Sequence, residues 1–145
     1  MTSGESSAVR AFLDAYRAGF ESFDVAAVAD LFYYPCHITS DGAEVTVAVI
    51  PTRDAWIPQL RQLLAAYREI GVRSAEVLTV DLIEITERLV QAAVHWGLLG
   101  EQGGKVYDFD ASYTLADLGD GMRITAIAHN EAPRLREAIE RRLMA

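Results

Sequence analysis

Between Arg73 and Asn130 the chain is written with a period of two. Residues 75–85, 89–99, 106–115 and 122–130 read as four long strands, separated by Thr86-Glu87-Arg88, Gly100 to Gly104 and Asp117 to Gly121. Connections this short reach only an adjacent strand running the opposite way, so the stretch predicts an antiparallel meander. Each strand must then bury one face against something else in the chain.

Helical segments supply that cover. Residues 5–19 place Val9, Phe12, Leu13, Tyr16 and Phe20 on one apolar stripe, with Ser6 or Ser7 as a cap. Asp24 caps a second helix over 25–32, with Val28, Ala29 and Phe32 inward, and Pro35 ends it by forcing extended geometry before it. Residues 36–40 and 44–49 form a hairpin about Asp41-Gly42, where Gly42 is expected to supply a positive φ. Pro51-Thr52 opens the longest helix, with Trp56, Leu60, Leu63, Leu64 and Tyr67 inward and Gly71 as the stop. Pro58 removes a donor within it and predicts a kink or a delayed start. Asn130 or Glu131 caps a last helix, with Pro133 in its first turn and Leu135, Ala138, Ile139 and Leu143 as its stripe.

The order is helix, helix, two strands, helix, four strands, helix. That predicts an α+β fold in one domain over residues 1–145, with helices gathered on one face of a curved sheet. Such a sheet closed by helices is a cone, and its mouth is a natural ligand site.

A net charge of -8, from 13 Lys+Arg against 21 Asp+Glu, argues against nucleic acid and anionic membranes as partners. Arg134, Arg136, Arg141 and Arg142 alternate with Glu137 and Glu140 and read as a solvated helix face. Cys36 is alone, so no intrachain disulfide is possible. With no apolar run of bilayer length and no leader pattern, a soluble cytoplasmic protein is expected. His37, His95 and His129 fall on separate strands without ligand spacing, and neither a P-loop nor a dinucleotide fingerprint occurs. No metal and no cofactor is expected.

The element order, the Val9-Arg10-Ala11-Phe12-Leu13 helix, the segment from Asp24 to Phe32 and the closing Asp120-Gly121-Met122-Arg123-Ile124 strand together resemble the nuclear transport factor 2-like superfamily, in particular its SnoaL-like members. The resemblance covers nearly the whole chain. It implies a cystatin-like cone with a deep pocket, and homodimerisation through the outer face of the sheet. The superfamily holds isomerases, cyclases, dehydratases and non-catalytic association domains, so the fold alone does not fix a chemistry. The oxyanion tyrosine and base aspartate of its ketosteroid isomerase branch would fall on Phe12 and Ser40, where both groups are missing; Tyr16 and Asp41 are the nearest substitutes.

Alternation puts Asp108, Asp110, Ser112 and Thr114 on one face of their strand and Tyr107, Phe109, Ala111, Tyr113 and Leu115 on the other. If the aromatic face packs on the helices, the acids are merely solvated. The parity implied by the resemblance instead turns the acids into the cone and the aromatics outward. On that parity Gln91, Ala93, His95, Ile124, Ala126, Ala128 and Asn130 also point inward, and His129 outward with Glu131. His95 and Asp110 would then face each other as a candidate general acid/base pair. Tyr16, Trp56 and Leu60 would form the apolar wall, with Ser40, Ser112, Thr114 and Asn130 as polar ligand contacts.

The expectation is a homodimer binding a small, largely apolar molecule, with cofactor-free isomerisation, cyclisation or dehydration as the chemistry if there is turnover. The alternative is a non-catalytic association module whose outer face carries Tyr107, Phe109, Tyr113 and Trp96.

Overall fold

The computed structural model describes residues 3–144, with side chains from Ser7 onward. Its elements are α1 (Ser3–Glu21), α2 (Val25–Ala29), β1 (Phe32–Asp41), β2 (Val45–Ile50), α3 (Arg53–Glu69), β3 (Val72–Thr86), β4 (Leu89–Gly100), β5 (Lys105–Asp117), β6 (Met122–His129) and α4 (Glu131–Met144). The order is the one the periodicities predict.

The local rules explain most of the boundaries. The Asp24 carboxylate accepts the amide of Ala27 at the start of α2, and the Thr52 hydroxyl accepts that of Ala55 at the start of α3. Gly71, with φ of 86°, follows the end of α3 in the left-handed conformation that glycine adopts without cost. Several expectations need correcting. α1 begins before Ser6 and Ser7, which therefore lie inside it; the Ser6 side chain is outside the described residues. α2 stops at Ala29, and Phe32 opens β1 instead of closing the helix. Gly42 does not have a positive φ. α3 runs unbroken from Arg53 through Pro58, so its start is not delayed. Leu143 is exposed rather than part of the apolar stripe of α4.

The six strands make one sheet in the order β2-β1-β6-β5-β4-β3. All neighbours are antiparallel except β1 and β6, which run parallel because α3 and the meander lie between them in the chain. α1, α2 and α3 share one core with the sheet, in which Phe12, Leu13, Tyr16, Val28, Leu60 and Tyr67 are buried.

The orientation of the strands is the opposite of that expected. Tyr107, Phe109, Ala111, Tyr113 and Leu115 are buried in the core, and Val90, Ala92, Val94, Trp96 and Leu98 join them from β4. Asp108, Asp110, Ser112, Thr114, Gln91, Ala93 and His95 consequently lie on the outer face. The cause is apolar area. Each large side chain moved from water into the core contributes about 1.5–3 kcal/mol, whereas burying unpaired aspartates would cost free energy.

β6 changes phase part-way along. Thr114 is opposite Ala126 but Leu115 is opposite Ile124, so Thr125 is an extra residue, a β-bulge. Ile124 therefore points inward as expected, but beyond the bulge it is Ile127 and His129 that face the interior, not Ala126 and Ala128. No helix among the described residues is long and apolar enough to cross a membrane.

Candidate functional site

The core is not filled to the floor. A cavity of about 110 Å³ opens beside α1 and the start of β3, walled by Tyr16, Phe20, Trp56, Leu60, Leu63, Trp96, Phe109 and Ile127. Its rim carries Arg17, Glu21 and Arg73, and Glu21 accepts the amide of Ala75 at 2.9 Å, which ties α1 to β3. The wall is strongly aromatic: Tyr16 meets Phe20 edge-on at 4.9 Å between centroids and Tyr113 at 5.7 Å.

Two polar groups stand on this apolar floor. Glu131, the first residue of α4, turns its carboxyl into the cavity, where Oε2 accepts hydrogen bonds from the hydroxyls of Tyr67 and Tyr107, the latter at 2.7 Å. Burial pushes the Glu131 carboxyl above its ordinary value, and the two tyrosine donors only partly offset this. The same burial holds Tyr67 and Tyr107 in their phenol form. His129 lines the same cavity, and its Nδ1 accepts the backbone amide of Glu131 at 3.1 Å. An accepting Nδ1 places the proton of the neutral ring on Nε2, and burial lowers the pKa of the ring, favouring that neutral form. Further along the wall, the Trp96 indole donates to the Tyr113 hydroxyl at 2.8 Å. Trp56 Nε1 is buried without a partner among the described residues.

A second polar constellation occupies the outer face. His95 stands opposite Asp110 in the ladder, its Nδ1 2.6 Å from Asp110 Oδ1 and its Nε2 2.8 Å from Asp108 Oδ2. A carboxylate on each nitrogen favours the protonated ring, and hydrogen bonding to Asp110 and then Asp108 raises its pKa. Asp108 is lowered to about 2 by His95 and by Arg134, whose guanidinium also reaches the Asp108 carbonyl at 2.8 Å. A shallow groove beside this cluster is lined by Asp41, Asp81, Ala93, Asp110, Ser112 and Asn130. No group of three or more metal-ligating side chains occurs among the described residues.

Residues 5–132 match the family model described as NTF2-like protein (DUF6841). The chain belongs to that family. The NTF2-like architecture recurs in solved structures. Aln2 from a Streptomyces species is 15% identical with a TM-score of 0.71, over 97% of this chain and 98% of its own. An NTF2-like protein with a cystatin-like fold from Novosphingobium aromaticivorans is 14% identical with a TM-score of 0.69, over 94% and 89%. An NTF2-like protein of unknown function from Shewanella oneidensis is 10% identical with a TM-score of 0.68, over 86% and 98%. At these identities the likeness shows the fold alone. A search of the curated proteins finds no match.

Within this NTF2-like domain the residues singled out from sequence do not form one site. Tyr16, Trp56 and Leu60 line the interior cavity. His95 and Asp110 do meet, but on the outer face, with Ser112 and Asn130 beside them in the groove. Thr114, also outside, donates to Gln91 Oε1 at 3.1 Å. Ser40 lines neither space and bonds Thr46 across the hairpin at 3.0 Å. Cys36 is buried, and desolvation raises its thiol to about 11; His37 beside it is exposed. The sequence reading missed Glu131 and His129 as cavity groups, having turned both outward. The signal available was their i, i+2 spacing with Ile127, a partly inward apolar position.

Proposed function

We propose that this NTF2-like domain binds a small, largely apolar molecule in its interior cavity, with the one polar end of that molecule at Glu131. A carboxyl held by two tyrosines at the floor of an aromatic-walled space carries this reading. His95 and Asp110 take no part in it, because the sheet separates them from the cavity. Cofactor-free isomerase, cyclase or dehydratase chemistry would fall to the cavity groups instead. The test is a set of single-ring phenols, ketones and amines, scored by the thermal midpoint and by the emission of Trp56 and Trp96. A binder at one hundred times its Kd adds about 2.7 kcal/mol of stability. A set that moves neither signal at millimolar concentration would overturn the reading.

A second reading, association through the outer face, draws support from the edge strands. Val45, Val47 and Val49 form an exposed apolar row on β2, and Ile83 is exposed on the same face of β3. The occupant proposed is a second copy of the chain. The aromatics Tyr107, Phe109, Tyr113 and Trp96 are not part of that surface, since all four are buried.

A further inference from the structure

We propose that Glu131 is a proton-transfer group, its Oε1 acting as general base toward a single-ring carbon acid in the cavity, one whose C–H bond is acidified by an adjacent carbonyl or nitro group. This rests on the cavity reading above. Tyr67 and Tyr107 both bind Oε2 and so fix the carboxyl, while Oε1 has no protein partner among the described residues. The neighbouring titratable groups are Tyr67 from α3, Tyr107 and Tyr113 from β5, Tyr16 from α1 and His129 from β6. Burial favours the uncharged form of every one of them. The charged side chains Arg17, Glu21 and Arg73 stand at the rim.

A desolvated carboxylate is a stronger base than one in water, and its titration moves toward neutral pH, where a general base is most effective. The developing negative charge is assigned to one donor. His129 offers Nε2–H, because its Nδ1 is occupied, and stands on the same floor as Glu131; Trp56 Nε1 is fully buried and turned away from the space. The space of about 110 Å³ is smaller than the roughly 150 Å³ cavity that takes benzene, so it holds at most one small ring, with the rest of a ligand in the mouth beside α1 and β3.

In the step, Oε1 takes the proton from carbon and that C–H bond breaks. Its electron pair becomes the new double bond to the carbonyl carbon or nitro nitrogen, and the charge passes to oxygen. Return of that proton to a conjugated carbon completes isomerisation; if the carboxylic acid first trades its proton for one from solvent, return to the same carbon completes exchange, with no oxidant or reductant involved.

The experiment follows nitrocyclohexane in deuterated buffer by proton NMR, reading loss of the C–H signal beside the nitro group, with binding read separately from tryptophan emission. Wild type should exchange faster than buffer, along a pH limb centred above the ordinary carboxylate range. Glu131→Gln should bind the probe but exchange at least about a hundredfold more slowly, the scale of one general base. Tyr67→Phe removes a donor to the charged form and should move the limb to higher pH, a change that a purely structural role would not produce. If the probe binds and wild type is no faster than buffer, or Glu131→Gln keeps the wild-type rate, proton transfer is overturned and the cavity reading stands. If wild type does not bind the probe but binds a ring ketone or another member of the set above, the proton-transfer proposal falls alone; if no member of that set binds either, both fall together.

Discussion

His95 shows how a residue pair can be read correctly and its role misread. Its pairing with Asp110 follows from strand register alone, but carboxylates at both nitrogens favour the protonated ring, and the pair stands on the outer face instead of in the cavity. The sign of its pH effect follows. A histidine whose pKa is raised on folding contributes stability that is complete below 6.5 and is lost as pH rises through the folded value. Asp108, lowered from 3.8 to about 2, contributes above 3.8 and loses that contribution as pH falls toward 2. Both act together between roughly pH 4 and 6.5. His129 and Glu131 also shape the wild-type curve, so the comparison is with His95→Asn. The difference in melting midpoint between the two proteins should be largest near pH 5 and shrink as pH rises above 6.5. A difference that does not change with pH would refute the assignment. Tyr113→Phe tests another residue-level bond. It leaves the buried Trp96 indole without its acceptor, and urea unfolding should report a loss of about 1–3 kcal/mol.

At the scale of elements, the crossing of α1 and α2 depends on a missing methyl group. Alanine in place of glycine ordinarily favours a helix by about 0.5–1 kcal/mol, yet a Cβ on Gly19 would lie 2.8 Å from Cγ2 of the fully buried Val28. Gly19→Ala should therefore destabilise by about 1–3 kcal/mol in urea titration, and Val28→Ala should recover part of that loss in the double mutant. α4 is held by two latches on opposite sides of the sheet, Glu131 within and Arg134 on Asp108 without. Element types and order were legible because each segment carries a clean period and recognisable ends at Asp24, Thr52 and Gly71. Phe32 was assigned to the wrong element because its spacing from Val28 fits a helix equally well. An apolar residue at a boundary satisfies both periods.

For the whole molecule, alternation tells which residues share a face but not which face is buried. That choice depends on where the helices lie, and the row from Tyr107 to Leu115 carries far more apolar area than the row of acids beside it. Weighing that area would have given the right answer, whereas the parity implied by the superfamily gave the wrong one. The floor of the cavity was legible only in the spacing of His129 and Glu131 from the apolar Ile127. Glu131 occupies the first turn of a helix, where an acid is expected for the dipole alone, and its inward aim depends on the bulge before it. Assembly is tested on the outer face. Sedimentation at micromolar concentration should give twice the chain mass, and Val47→Glu, whose side chain is exposed, should return it to one. A wild-type monomer would remove the association reading.

The unpaired Thr125 also bears on inheritance. Drawing Thr125 into regular pairing, with no residue lost, would leave Ile124 and everything upstream where it is, yet would send the imidazole and the acid that follow it out to solvent and put Ala128 and Asn130 in their place. A chain built this way exchanges the groups on its cavity floor by whether that one bulge forms in its last strand, so chains of the same shape need share no chemistry.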